Sequence, residues 1–172
     1  MSHIPPALFV ALAELVPDLH VHCAEPWCLV GSAAALLLGA EVSVADIDVL
    51  VSCADADALA TLWAGRRDTV HVPADDGRFR SRFARFRFPG LPVEVMGGLE
   101  LGQGGDWQPV SPGRLVLVGV QGVAVPVPSA EDQIRLFESF GREKDLLRAK
   151  LLRAFASSPV GERIEVRGGC SR

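Results

Sequence analysis

The chain has 172 residues, 49% of them hydrophobic and 22% charged, with a formal net charge of −4. That balance excludes a disordered chain and gives no overall attraction to nucleic acid. The length suits one domain burying about 70% of the surface its unfolded chain exposes, and no apolar run reaches the roughly 18 residues of a membrane span.

The N-terminus, MSHIPPALFV, lacks the basic flank of a secretion signal, so a cytoplasmic address is expected. Residues 4 to 16 predict an amphipathic helix. Pro5 and Pro6 suit its first turn, Leu8, Leu12 and Leu15 give a stripe, and Pro17 is expected to stop it. His20-Val21-His22 would set two imidazoles on one side of an extended segment, as a metal pair or, the preferred reading, as a solvated pair. Cys23, Cys28, Cys53 and Cys170 lack the two-pair spacing of a zinc site, and Cys28 and Cys53 are expected to be buried free thiols.

Trp27 to Ser52, WCLVGSAAALLLGAEVSVADIDVLVS, predicts strand, Gly31-Ser32 turn, helix, strand. Alternation along the second strand puts Asp46 and Asp48 on one face and Ile47, Val49 and Val51 on the other. At a rise of about 3.3 Å per residue their Cα atoms are roughly 6.6 Å apart, close enough to share one metal cluster. The helix that opens at Gly31-Ser32 presents free backbone N–H groups to a phosphate. A phosphate cradle beside an acidic metal site is equipment for moving a nucleotidyl group. The alternative is that the two acids merely mark the entry of a strand.

Ala54 to Ala64 predicts a helix with Leu59, Leu62 and Trp63 inward and Gly65 as its stop. Asp55-x-Asp57 repeats the acidic spacing, but on a helix turn, where the macrodipole explains it better than metal binding does. Thr69 to Val72 predicts a short strand and Asp75-Asp76-Gly77 a turn. In Phe79 to Phe88, FRSRFARFRF, one bulge near Ala84 would gather the four Phe on one face and Arg80, Arg82, Arg85 and Arg87 on the other. Such an arginine face suits either phosphate binding or, as preferred here, a solvated face that blocks edge pairing. Pro89-Gly90 turns the chain, and Pro92 to Met96 returns with Glu94 opposite in direction to Val93 and Val95. Glu94 is either a third carboxylate, as metal ligand or general base, or a solvated Glu on an outer strand; Glu100 is the fallback.

Residues 97 to 113 hold six glycines and predict a mobile loop. Arg114 to Val120 and Val123 to Val127 predict a hairpin joined at Gln121-Gly122. Ser129-Ala130-Glu131-Asp132 predicts a capping box opening a helix to Phe140, and Gly141 breaks it. A last helix is expected from Arg142 to Ala156, with Ile134, Phe137, Leu147 and Leu151 facing inward across the pair. Residues 1–156 are thus expected to form one domain, 129–156 its C-terminal helical hairpin, and 157–172 a polar tail.

Gly31-Ser32, a helix, then Asp46-x-Asp48 resembles the nucleotidyltransferase fold superfamily, which includes DNA polymerase beta and the aminoglycoside nucleotidyltransferases. The stretch is most similar to the small bacterial stand-alone members. Ser43 matches a Ser/Thr often found before the acidic pair, whereas Val42 stands where an Arg is common. Gly141-Arg142-Glu143-Lys144-Asp145 resembles a helix motif near the end of such domains.

The resemblance implies an α/β (α+β) fold, a small mixed sheet flanked by helices. It implies Mg²⁺-dependent transfer of a nucleoside monophosphate from an NTP donor to a hydroxyl. Gly31, Ser32 and Lys144 would bind nucleotide, and Asp46, Asp48 and Glu94 would be the catalytic metal ligands. The acceptor, whether small molecule, protein or RNA, stays open, as does a homodimer or a partner protein. The rival expectation is a non-catalytic protein that keeps the fold and binds a partner, as an antitoxin or regulatory subunit would.

Overall fold

The computed structural model describes residues 3–71 and 77–159. Val72, Asp75, Asp76, Cys170 and the tail beyond Pro159, all of which carried expectations, lie outside the described residues.

Helix α1 (Pro6–His22) buries Leu8, Leu12 and Leu15 as expected, but it does not stop at Pro17. Pro17 and Ala13, whose carbonyl loses its i+4 donor, both lie on the exposed face, where solvent replaces the missing bond. Val16 and Leu19 extend the buried stripe past the proline, each side chain contributing on the order of 2 kcal/mol. His20 and His22 are therefore helical rather than extended, and they do not share a face. His20 Nε2 lies 2.8 Å from the Ala124 carbonyl oxygen, and its ring meets the edge of Trp27.

The main sheet is mixed, as predicted. Strand β1 (Cys28–Val30) runs antiparallel to β2 (Ile47–Val51), and β2 runs parallel to β4 (Val93–Gln103). Strand β3 (Phe79–Phe86) is antiparallel to β4, and β5 (Asp106–Pro109) pairs with the far end of β4. Strands β6 (Leu115–Val120) and β7 (Val123–Pro128) form a separate hairpin. Alternation sends Ile47, Val49, Val93, Val95 and Phe86 into the core against α1 and α3 (Cys53–Leu62). The opposite face carries a smaller apolar cluster that includes Val30, Leu50, Leu99 and Phe140.

Four expectations need correction. Residues 97 to 103 continue β4, and 106 to 109 form β5, where a mobile loop was expected. The glycines there permit close packing instead: a Cβ on Gly97 would lie 2.4 Å from Ala56 Cβ, and one on Gly98 2.5 Å from Cys53 Sγ. Residues 69 to 71 form no strand; Arg67 instead makes a single bridge to Phe86. Leu62 and Cys53 of α3 are exposed. The bulge in β3 falls between Arg80 and Arg82, not near Ala84. Beyond it Ala84, Phe86 and Phe88 face the core, while Phe83 and Arg85 take the other face. Phe79 and Phe83 are half-buried, and only Arg80, Arg82 and Arg87 of the four arginines are exposed.

Asp55 is buried at the start of α3 and accepts bonds from the backbone N–H groups of Ala24 (2.9 Å) and Glu25 (3.0 Å). It fastens the connection between α1 and β1. Burial pushes its pKa up, but the bonds from Ala24, Glu25 and Ser52 outweigh burial and hold it below the ordinary carboxylate range. The bonds therefore stabilise the fold above the unfolded carboxylate pKa of about 3.9, and that stability is lost as pH falls through the lower folded value. Asp55→Ala should cost about 1.5–3 kcal/mol at pH 7 by urea denaturation, because two backbone donors lose a charged acceptor. The gap from wild type should narrow in acid; a gap independent of pH would contradict the assignment.

Helix α4 (Ala130–Phe140) opens with Ser129 accepting from Asp132 N–H, and ends at Gly141 in the left-handed region, both as predicted. Helix α5 (Glu143–Ala156) buries Asp145, Ala149 and Leu152, while Leu147, expected inside, is exposed. Arg142 holds buried Asp145 through Nε (2.6 Å) and Nη2 (3.1 Å).

Candidate active site

Helix α2 (Gly31–Leu37) follows β1 without a loop. The sharp passage is made at Gly31, with φ +69°, a value that L side chains rarely adopt. Gly31 also faces the site: a Cβ there would lie 2.5 Å from Asp48 Oδ2. The Gly-Ser turn and the acidic pair, separated in sequence by a helix, are thus one place in space.

Strand register then lays out a row. Val30 is opposite Asp48, Asp48 is beside Glu94, and Glu94 is opposite Arg85. Neighbouring strands lie about 4.8 Å apart, so these side chains stand side by side on one face. Asp46 sits in the bend just before β2, one residue short of the strand expected to carry it. It still reaches the same place, since Arg85 Nη1 is 2.5 Å from Glu94 Oε1 and 3.5 Å from Asp46 Oδ2. Arg85 Nε lies 3.9 Å from Asp68 Oδ2, and His71 Nε2 lies 3.2 Å from the same Glu94 oxygen.

Asp48 has a pKa held well above the ordinary carboxylate range. Burial of its carboxyl is the main cause, followed by the charges of Asp46 and Glu94 and a hydrogen bond with Glu94; Arg148 opposes them.

Above the acids opens a cleft of about 440 Å³. Gly31, Asp46, Asp48, His71 and Glu94 line one end. Phe79, Phe83, Met96, Leu99, Phe137 and Phe140 give it an apolar wall, with Phe79 and Phe140 packed edge to face. Arg142, Lys144 and Arg148 of the α4–α5 region supply positive charge along its rim.

A solved structure of a candidate nucleotidyltransferase from Thermotoga maritima has this architecture, with a TM-score of 0.68 over 89% of this chain and 95% of that one, at 23% identity. The present chain has the nucleotidyltransferase fold. The lincomycin-bound structure of the lincosamide antibiotic adenylyltransferase LnuA is also similar, with a TM-score of 0.55 over 90% of this chain and 99% of that one, at 12% identity. No family model matches the chain, and no curated protein matches its sequence.

Within this nucleotidyltransferase fold, Gly31, Asp46, Asp48, Glu94 and Lys144 all meet at the cleft. Ser32 does not reach its wall: it is buried behind Gly31 as the second residue of α2. Arg85 and His71 are the residues that sequence reasoning missed. Arg85 had a signal, since pairing β3 with β4 about the Pro89-Gly90 turn puts Arg85 opposite Glu94. His71 had none, lying outside regular structure.

Three carboxylates with all-oxygen donors suit Mg²⁺, a hard cation. Gly31 keeps a side chain away from Asp48 Oδ2, since a Cβ there would lie 2.5 Å from that oxygen. Among the described residues, however, no three His, Cys, Asp or Glu side chains converge into a ready-made metal cluster. In this nucleotidyltransferase fold Arg85 already holds oxygens of Glu94 and Asp46.

Among the described residues no helix is long and apolar enough to cross a membrane. Cys28 is a buried thiol, its pKa pushed up to about 12 by burial, and Cys23 is pushed up to about 11 by burial and the Asp55 charge. Neither suits a reactive thiolate.

Proposed function

We propose that the protein is a Mg²⁺-dependent nucleotidyltransferase that moves a nucleoside monophosphate from an NTP to a hydroxyl of a small molecule, releasing pyrophosphate. The observation that carries this reading is the contact between the Gly31 turn and Asp48, in register with Glu94. Asp46 and Asp48, with Glu94 as third carboxylate, are the residues for the metal. Mg²⁺ held there would neutralise triphosphate charge and polarise the reacting oxygens. Gly31 and Ser32, at the open start of α2, are assigned to phosphate, through backbone N–H groups without intrahelical partners and the Ser32 hydroxyl. Lys144, exposed at the cleft and in no ion pair among the described residues, is assigned to the triphosphate.

The acceptor class follows from the cleft. A volume of about 440 Å³ with an aromatic wall suits a drug-sized compound better than an RNA end or a protein side chain. The lincomycin seated in LnuA supports the same class. The test is calorimetry with each of the four NTPs, with and without Mg²⁺, followed by pyrophosphate release in the presence of hydroxylated small molecules. Mg²⁺-dependent binding of at least one NTP is expected. Absence of binding by all four would favour a protein that keeps the fold and binds another partner.

Ser32→Ala separates a phosphate ligand from a structural serine. Val30, not Ser32, is the N-cap of α2, and no side chain caps the helix. Loss of the hydroxyl should therefore cost less than the roughly 1 kcal/mol of a lost helix cap. Loss of a charge-assisted bond to phosphate should weaken NTP binding roughly 10- to 150-fold. Unchanged affinity would remove Ser32 from the nucleotide site.

A further inference from the structure

We infer that Arg85 supplies one of the positive charges of this acid cluster, so that the site takes a single divalent cation, on Asp46 and Asp48, with the guanidinium held by Glu94 where a second ion would stand. The inference rests on the metal reading proposed above and narrows it: Glu94, assigned there as third carboxylate, holds the guanidinium instead, and the site accepts one ion.

The placement of Arg85 is built into the sheet. Arg85 and Glu94 are direct partners on adjacent antiparallel strands, so backbone pairing brings them together. One guanidinium reaches three acids: Glu94 at 2.5 Å, Asp46 at 3.5 Å and Asp68 at 3.9 Å. His71 donates toward the same oxygen of Glu94, so that oxygen already has two nitrogen neighbours. The other paired arginines of the strand behave differently. The side chains of Arg80 and Arg82 are 54% and 57% exposed and pair outward with Glu100 and Asp57. Those of Arg85 and Glu94 are only 17% and 15% exposed.

Two properties make the arrangement exclusive. Arginine does not lose its proton in proteins, so the charge cannot be discarded to admit a cation. With little water nearby, a second divalent ion on Glu94 would face the guanidinium at close range and be repelled. Asp48, by contrast, has no ion-pair partner within salt-bridge distance among the described residues, and Gly31 brings no side chain against its Oδ2. The guanidinium is closer to Glu94 (2.5 Å) than to Asp46 (3.5 Å), so the division is one ion for Asp48 and for Asp46, which gives up the longer contact, and one guanidinium for Glu94.

Mn²⁺ can be counted directly. The full chain is titrated with Mn²⁺ in the absence of nucleotide, so that no ion is carried by a triphosphate, and free Mn²⁺ is followed by electron paramagnetic resonance. Wild type should bind one Mn²⁺ per chain. Arg85→Met, which keeps length but removes charge, should bind two, and Arg85→Lys should return the count to one. Two ions on wild type, or one on a folded Arg85→Met, would overturn the inference. If Arg85→Met does not fold, as judged by circular dichroism, the wild-type count still decides. No Mn²⁺ on wild type at all would overturn the metal site itself, an outcome distinct from a count of two.

Discussion

Asp48→Asn is expected to lose roughly three orders of magnitude in nucleotidyl transfer, the equivalent of about 4 kcal/mol of charge stabilisation by a bound metal, while folding at least as well as wild type. The two halves of this expectation have one cause. Burial, Asp46 and Glu94 raise the Asp48 pKa in the metal-free protein. A carboxyl whose folded pKa is raised adds stability below its unfolded pKa of about 3.9 and loses it as pH rises through the folded value. At neutral pH the metal-free wild type therefore carries a repulsion that an amide removes. Thermal melts across pH 4 to pH 8, a range of conditions chosen around that value, should show the variant gaining on wild type as pH rises. Mg²⁺ should raise the melting temperature of wild type and leave that of Asp48→Asn nearly unchanged. A variant that keeps full activity would take Asp48 out of the chemistry. One that is less stable at neutral pH without Mg²⁺ would show that its carboxylate has a cation partner within the chain.

Gly31→Ala is expected to cost about 1–3 kcal/mol of stability and roughly 100-fold in transfer rate. Two strains combine. The residue has φ +69°, where an L side chain is disfavoured, and its new Cβ would meet Asp48 Oδ2 at 2.5 Å. The obstructing atom is the end of a side chain, so the carboxylate moves more easily than the backbone. Relief of the clash thus displaces the group that the activity needs. A cycle with Asp48→Ala tests this directly: once the carboxylate is gone, Gly31→Ala should cost only its backbone strain. Full additivity of the two changes would show that the contact has no energetic role. A Gly31→Ala protein with wild-type Mn²⁺ affinity would separate the glycine from the metal site.

These two residues also show how far local pattern carries. Gly31-Ser32 followed by Asp46-x-Asp48, the Pro89-Gly90 turn, the Ser129 cap and the Gly141 stop all depend on backbone preferences acting within a few residues. Such preferences are written into short stretches of chain, which is why the mixed α+β sheet and its acidic centre were foreseeable.

What tertiary structure alone decided was phase and company. Pro17 stays inside α1 because the burial of Leu19 outweighs a bond lost on the solvent side. Gly97 and Gly98 sit in a strand rather than a loop because α3 passes too close for a side chain. Leu147 is exposed because α5 buries the stripe Asp145, Ala149 and Leu152, which turns Leu147 outward. Arg85 joins the acids because the β3–β4 register about the Pro89-Gly90 turn sets it opposite Glu94, while the bulge between Arg80 and Arg82 lies beyond it. A shift of one residue in a strand moves every side chain to the opposite face. Composition and motif therefore determine which groups the chain has for its chemistry, but the register of strand pairing determines which arginine meets Glu94.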